Sequence, residues 1–153
     1  MAATAHLELG LLDAGQELTR FISGRDGDGA VVSFTGLARA NASNGQEVSC
    51  LRLDWHPEMT PRSLIELAEA AAARFDVSDV RVVHRAGSIT PGEVIVFVAA
   101  ASPHRRQAFL AADYLMDRLK TEAMFWKHES GPSGARWVEP TEQDRADRAR
   151  WSD

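Results

Sequence analysis

The chain of 153 residues is 44% hydrophobic, which suffices for one domain with a sizeable core. Lys and Arg number 17 against 22 Asp and Glu, and the net charge of −5 repels polyanions, so we expect no nucleic-acid partner. No apolar run approaches the roughly 18 residues that cross a bilayer, and the N-terminus has no basic region followed by an apolar one. We therefore expect a cytoplasmic protein with no membrane anchor.

Strands are predicted where residues alternate or are β-branched or aromatic, namely at 6–9, 30–35, 48–55, 80–85, 94–101 and 136–138. After the first strand, Asp13 is expected to cap a helix, and Thr60 is expected to cap a second helix over residues 62–75. The strand at 94–101 is apolar almost throughout, which favours a place at the centre of a sheet. That strand leads directly into Ser102.

Two further stretches have distinctive compositions. Residues 40–46 are small, polar and uncharged, which is typical of a mobile loop. From about residue 141 the chain is almost wholly charged or small, so we expect a mobile, solvated tail that is helical at best. No repeat, low-complexity tract or long linker divides the sequence. Residues 1–153 are therefore expected to form a single domain.

The stretch 102–129 carries most of the candidate chemistry. Ser102 is a good N-cap and Pro103 suits a first helical position, so a helix is expected to begin there. His104 and Arg105 then fall in the first turn, where the helix macrodipole disfavours each cation by up to about 1 kcal/mol. We expect an anion to compensate, because helix N–H groups with His and Arg side chains suit a phosphate or a carboxylate.

The body of this helix is predicted to bury the apolar residues that recur every three or four positions, namely Ala108, Phe109, Ala112, Leu115, Met116 and Leu119. Lys120 closes the helix, and Lys127 follows beyond a short break. At 1.5 Å of rise per residue, Arg105 and Lys120 lie about 22 Å apart, too far for one small ligand to touch both. Either the two ends serve different sites, or a second copy of the chain brings its Arg105 end against Lys120.

Two other places carry candidate site residues. Arg39 lies where a strand gives way to the loop 40–46, a usual position for an anion-binding guanidinium, although an ordinary surface arginine fits equally well. His84 and Arg85 end another strand. Hydrogen bonding at a sheet edge explains them better than a shared site does, because strand residues alternate faces and only one of the two could point at a pocket.

Several chemistries are excluded by missing motifs. The sequence has no nucleophile elbow, Walker A loop or dinucleotide fingerprint, and its five histidines have no partners at zinc spacing, so we expect no metal centre. The lone Cys50 lies in an apolar alternation and is predicted to be a small buried residue. What remains is a set of cations suited to a compact anion, Arg39, His104, Arg105, Lys120 and Lys127. Their mutual repulsion could let a lysine act as a base or nucleophile near neutral pH.

Six motifs, in this order along the chain, resemble the signatures of the large, catalytic subunit of molybdopterin synthase, the MoaE family. They are GAVVSFTGLAR at 29–39, LDWHPEM at 53–59, HRAG at 84–87, SPHR at 102–105, DRLK at 117–120 and FWKHE at 125–129. The resemblance implies an α/β (α+β) fold, an α/β hammerhead with an additional antiparallel β subdomain.

The same resemblance implies a sulfurtransferase without a cofactor of its own. A homodimer would form the centre of a heterotetramer, with a small ubiquitin-like sulfur carrier, MoaD-like, at each end. The carrier's C-terminal thiocarboxylate would deliver sulfur to cyclic pyranopterin monophosphate and so form the molybdopterin dithiolene. This would explain a sulfur-transferring enzyme whose only cysteine is predicted to be buried.

Position by position, the resemblance assigns substrate contacts to Leu37, Ala38, Arg39, His104, Arg105, Lys120, Lys127, His128 and Glu129. Lys120 and Lys127 would be catalytic, with Lys120 transferring a proton or contacting the thiocarboxylate carbonyl. Leu37 and His128 stand where family members often carry basic residues, so this pocket is expected to be less cationic. The alternative is a non-catalytic module that uses the same residues to bind a small phosphorylated ligand or a partner's C-terminal tail.

Overall fold

A computed structural model of the chain describes residues 2–152, which form eight strands and four helices. The strands are β1 (Ala2–Glu8), β2 (Ala30–Leu37), β3 (Cys50–Trp55), β4 (Asp79–Arg85), β5 (Gly87–Ile89), β6 (Val94–Ser102), β7 (Phe125–Gly131) and β8 (Gly134–Val138). The helices are α1 (Ala14–Ile22), α2 (Met59–Arg74), α3 (Arg105–Glu122) and α4 (Glu142–Ala149). Within the described chain, no helix is both long and apolar enough to cross a membrane.

The first sheet has the strand order β1-β4-β6-β2, with β1 parallel to β4 and the other pairs antiparallel. The apolar β6 lies in the interior of this sheet, as predicted. One face packs against α2 and α3 through residues such as Val82, Leu64 and Leu115, and the other face packs against α1 through Val83 and Phe21. Successive residues of β4 therefore point to different cores.

The second sheet has the order β5-β3-β7-β8 and is antiparallel throughout. A small apolar cluster of Ala38, Leu51, Leu53 and Ile89 lies against it. Because Ala38 belongs to this cluster, the chain leaving β2 is held against β3. The predicted mixed α/β fold with a separate antiparallel sheet is confirmed.

The predicted N-cap at Asp13 is confirmed, since its carboxylate accepts the Gln16 N–H at 3.0 Å, but those at Ser102 and Thr60 are not. Ser102 is the last residue of β6, where it pairs with Ala30, and α3 begins only at Arg105. The Ser102 hydroxyl instead donates to the Asp76 carbonyl at 2.8 Å. The predicted helix start is therefore wrong, because strand pairing continues through Ser102.

The predicted cap at Thr60 is also wrong. Thr60 lies inside α2 and is fully buried, and its hydroxyl accepts the His56 N–H at 2.8 Å and donates to the Met124 carbonyl at 2.6 Å. The Met124 N–H in turn donates to the Ser63 hydroxyl at 3.2 Å. The start of α2 therefore holds the backbone between α3 and β7, the segment that separates Lys120 from Lys127.

The buried face of α3 differs in part from the prediction. Phe109 is 59% exposed, whereas Ala111 and Tyr114 are buried. Cys50, expected to be buried, is half-buried. The face of α3 that packs on the first sheet is thus rotated away from Phe109 and includes Ala111 and Tyr114.

The tail helix exists, and Thr141 caps it, but the tail is not merely solvated. The Trp151 ring meets Phe75 and Tyr114 edge-on, at centroid distances of 5.9 and 5.5 Å, and its indole N–H donates to the Asp117 carboxylate at 2.6 Å. A tryptophan in a charged stretch supplies the apolar contact that composition alone did not indicate.

Candidate functional site

Three cations meet where α3 ends and the second sheet begins. Lys120 lies in the last turn of α3, Lys127 lies in β7, and Arg39 follows β2. Lys127 pairs across the sheet with Leu53, which belongs to the same apolar cluster as Ala38. The packing of Ala38 therefore brings Arg39 to the two lysines, although it lies far from both in sequence.

Lys127 is the half-buried member of this group. Burial lowers the pKa of its amine below 10.5, and the nearby charges of Lys120 and Arg39 lower it further. Glu129 and Asp144 act in the opposite direction. The sequence predicted that clustered cations would lower the pKa of a lysine, and in the structure Lys127 is such a lysine. A lysine of this kind can exchange a proton closer to neutral pH than an isolated one.

Strand alternation separates the remaining predicted residues of β7. Glu129 lies two residues after Lys127, on the same face, and forms an ion pair with Arg136 at 3.3 Å. His128 points to the opposite face, where its ring meets Trp137 at a centroid distance of 4.9 Å. Glu129 thus joins the lysine group, and His128 of the same chain does not.

Leu37 and Ala38 differ in exposure. Leu37 is 56% exposed on the edge strand β2, whereas Ala38 is buried. The Ala38 N–H donates to the Glu93 carbonyl at 2.9 Å, and the Gly92 N–H donates to the Ala38 carbonyl at 2.8 Å. These backbone bonds therefore fix the position of Arg39, whereas the buried side chain of Ala38 is not exposed to a ligand.

Arg85 supports this same turn from the interior. Its guanidinium is buried, donates to the Ser88 carbonyl at 3.3 Å and lies 3.4 Å from the Glu93 carboxylate. The hydrogen-bonding role predicted for Arg85 is confirmed, but β4 lies inside the first sheet and not at its edge. Because Glu93 also binds the backbone of Ala38, Arg85 braces the segment that carries Arg39.

His84 is the site residue that the sequence analysis undervalued. It lies in β4 on the face that packs against α2 and α3, its ring stacks on Phe125 at 4.2 Å, and Lys120 acts on it electrostatically. Desolvation lowers the pKa of His84 to about 4. His84 and Arg85 point to opposite faces of β4, as predicted. The sequence could have placed His84 on the face toward α2 and α3, because it lies two and four residues after the apolar Val82 and Val80.

A second cationic group lies at the other end of α3. His104 and Arg105 are exposed and line an open groove of about 590 Å³ together with Gly29, Pro103, Arg106, Phe109 and Leu110. About 22 Å of continuous helix separates Arg105 from Lys120. A single chain therefore does not join the two groups. Among residues 2–152, no group of three or more His, Cys, Asp or Glu side chains could hold a metal ion.

The first group combines fixed positive charge, a lysine with a lowered pKa and an adjacent carboxylate, on an antiparallel sheet beside a helix end. This arrangement can bind a compact anion, stabilise developing negative charge and transfer a proton. Fold and site thus define a mixed α/β protein with a cationic site whose composition suits anion binding and proton transfer.

The chain belongs to the MoaE protein family, whose profile matches residues 11–122. It is 50% identical over 139 residues to the molybdopterin synthase catalytic subunit of Caulobacter vibrioides, covering 91% of each chain. It is 46% identical over 131 residues to the subunit of that name from Escherichia coli, covering 86% of this chain and 87% of that one. A solved molybdopterin biosynthesis MoaE protein from Burkholderia ambifaria superposes with a TM-score of 0.80 at 36% identity, covering 99% of this chain and 98% of that one. The family resemblance read from the six motifs is confirmed.

Proposed function

We propose that this chain is the catalytic subunit of a molybdopterin synthase and acts as a sulfurtransferase. Its relatives at 50% and 46% identity carry the name molybdopterin synthase catalytic subunit, and the chain covers most of each. The structural observation that carries the proposal is the half-buried Lys127, whose pKa is lowered beside Lys120 and Arg39. A module that only binds an anion has no need of a lysine with a lowered pKa.

The proposed substrate is cyclic pyranopterin monophosphate, and its phosphate suits His104 and Arg105. These residues lie at the opposite end of α3 from Lys120, so one protomer cannot hold the ligand with both groups. We assign the phosphate to His104 and Arg105 of a second copy, beside Lys120 and Lys127 of the first. The proposed site is therefore shared across a homodimer.

Exposed apolar side chains support the homodimer. β2 is an edge strand of the first sheet, and Phe34 and Leu37 on it are 42% and 56% exposed. Phe109, in the first turns of α3 beside the groove, is 59% exposed. Open strand edges with apolar side chains favour pairing with another chain.

A catalytic subunit implies a second kind of subunit. We propose a small ubiquitin-like sulfur carrier with a C-terminal thiocarboxylate, one at each end of the homodimer, which gives a heterotetramer. Sulfur then arrives on the carrier, and the half-buried Cys50 needs no part in the transfer.

In each transfer, the carrier's sulfur bonds to a side-chain carbon of the pterin and displaces an oxygen substituent. Water then attacks the acyl carbon, the acyl carbon–sulfur bond breaks, and the carrier keeps a carboxylate while the sulfur stays on the pterin. Lys127 takes the proton of that water, because its pKa is lowered. Lys120 and Arg39 stabilise the charge on the acyl oxygen. The family resemblance left Lys120 with either proton transfer or contact with the acyl carbonyl, and the burial of Lys127 is the reason for giving the proton to Lys127 and the carbonyl to Lys120.

The direct test is incubation of the chain with cyclic pyranopterin monophosphate and a thiocarboxylated carrier. We expect a dithiolene product and conversion of the carrier to its carboxylate, both followed by mass spectrometry. Binding of the substrate without either change would favour the non-catalytic module instead.

The shared site has its own test in mixed dimers of Arg105→Ala and Lys120→Ala chains. Each variant alone lacks part of every site, whereas a mixed dimer contains one intact site. Equal mixing should restore roughly a quarter of wild-type activity, since half the dimers are mixed and half of their sites are intact. Activity no greater than that of either variant alone would contradict a site shared between protomers.

A further inference from the structure

The ring of His84 is held in one orientation by two contacts. It stacks on Phe125 with 4.2 Å between centroids and 28° between planes. Its Nδ1 lies 2.8 Å from the Arg85 carbonyl oxygen. A carbonyl oxygen only accepts hydrogen bonds, so Nδ1 must carry the proton. In the neutral ring, Nε2 is then a bare acceptor.

The surroundings of His84 favour this neutral form. The side chain is half-buried between the first sheet and β7, and desolvation lowers its pKa to about 4. Within residues 2–152, no group forms a hydrogen bond with Nε2. Among titratable groups, Lys120 of α3 is the one that acts electrostatically on the ring. Phe125, on which the ring stacks, lies three residues after the end of α3 and five after Lys120, so the unpartnered acceptor lies at the end of α3 that carries Lys120.

We propose that His84 is a positioning residue for Lys120, with its bare Nε2 accepting a hydrogen bond from the Lys120 ammonium and aiming that charge at the reacting group. Phe125 and the Arg85 carbonyl hold the ring, so Lys120 gains a fixed partner although its own side chain is long and exposed. The rotational freedom of such a side chain is costly to remove in each catalytic cycle. The catalytic role of this contact rests on the proposed function, whereas the contact between His84 and Lys120 does not depend on it.

The tautomer can be measured without substrate or carrier. Long-range proton–nitrogen NMR spectra of the ¹⁵N-labelled full chain should show His84 protonated at Nδ1 and bare at Nε2 from about pH 6 to 8. Lys120→Ala should shift the Nε2 resonance, whereas Arg136→Ala, which alters charge on β8, should leave it in place. A proton on Nε2, or an Nε2 resonance that does not shift in Lys120→Ala, would overturn the proposal.

The catalytic consequence is tested with two replacements. His84→Phe keeps the stack on Phe125 but removes the acceptor, and we expect kcat to fall at least tenfold with little change in KM for the pterin. His84→Gln retains an acceptor and should recover part of kcat. His6→Gln, which changes an exposed histidine of β1, serves as the control and should keep wild-type rates. Equal rates for His84→Phe and wild type would overturn the role.

Folding and function are separated by two further measurements. Acetylation of the Lys120 amine, followed by mass spectrometry at one fixed pH, should proceed several-fold faster in His84→Phe because the ammonium has lost its acceptor. A matching thermal transition for His84→Phe and His84→Gln would show that both variants are equally folded. If the NMR and acetylation results hold while wild type transfers no sulfur, the proposed function fails and the contact stands. If sulfur is transferred but acetylation of Lys120 is unchanged, the contact fails.

Discussion

The docking of the tail on α3 predicts a specific loss of stability in Trp151→Ala. The indole makes two edge-on aromatic contacts, each contributing about 0.5–1.5 kcal/mol beyond burial. Its hydrogen bond to Asp117 involves a charged acceptor, for which about 1.5–3 kcal/mol is typical. Asp117 keeps an ion pair with Arg150 when the indole is removed, so the lost hydrogen bond should cost an energy near the lower limit of that range. We expect the free energy of unfolding to fall by about 3 kcal/mol.

The assay is urea unfolding followed by far-ultraviolet circular dichroism, which does not depend on tryptophan emission. Trp137→Ala is the matched control, because that side chain is 59% exposed and should change the free energy of unfolding by less than about 1 kcal/mol. If Trp151→Ala were no more destabilising than Trp137→Ala, the tail would not be part of the folded core.

Three further predictions concern the site and its supports. Lys127→Met should lower the rate of sulfur transfer by about 10²–10³. The same variant should gain stability at neutral pH, because the pKa of Lys127 is lowered by burial and charging it is costly in the folded chain. Between the lowered pKa of Lys127 in the folded chain and its ordinary value of 10.5, this lysine binds more proton in the unfolded state than in the native one, so its contribution to stability should rise with pH across that range and the variant should lose this rise in urea unfolding. Thr60→Val removes a buried hydroxyl and leaves the half-buried Met124 carbonyl without its donor, which should cost about 1–3 kcal/mol by calorimetry. A Cβ at Gly131 would lie 2.2 Å from a backbone oxygen, so Gly131→Ala should lower the thermal midpoint, whereas Gly27→Ala, with nothing within 4 Å, should not.

Each of these has a contradicting outcome. A Lys127→Met chain that is less stable than wild type at pH 7 would mean that the lysine charge is well solvated. A Thr60→Val chain as stable as wild type would show that the contact between α2 and Met124 is dispensable. Equal thermal midpoints for Gly131→Ala and Gly27→Ala would mean that the loop before β3 does not press on β7.

Local sequence determined six of the eight strands among residues 2–152, the apolar centre of the first sheet and the family, but it did not predict β5 or β7. These features depend on residues that are neighbours in the chain: alternation predicted β4, a continuous apolar run predicted β6, and six ordered motifs identified the MoaE family. The cap at Asp13 was predicted for the same reason, since its acceptor and donor lie three residues apart.

Contacts between distant residues account for what the sequence did not show. The hydroxyls of Ser102 and Thr60 looked like caps, but they bond to Asp76 and to Met124, 26 and 64 residues away. Strand alternation points His128 away from Lys127, but β7 forms by pairing with β3 and β8 and was not predicted as a strand from the sequence.

Three residues whose roles depend on distant contacts are His84, Lys127 and Trp151. The ring of His84 acquires its orientation from the stack on Phe125, 41 residues along the chain, and its lowered pKa mainly from desolvation. Lys127 acquires its lowered pKa from burial and from charges brought by α3 and β2. Trp151 acquires its place from α3 and from Phe75. Composition and periodicity report which residues can be buried, whereas desolvation and charge at a site depend on which elements pack together.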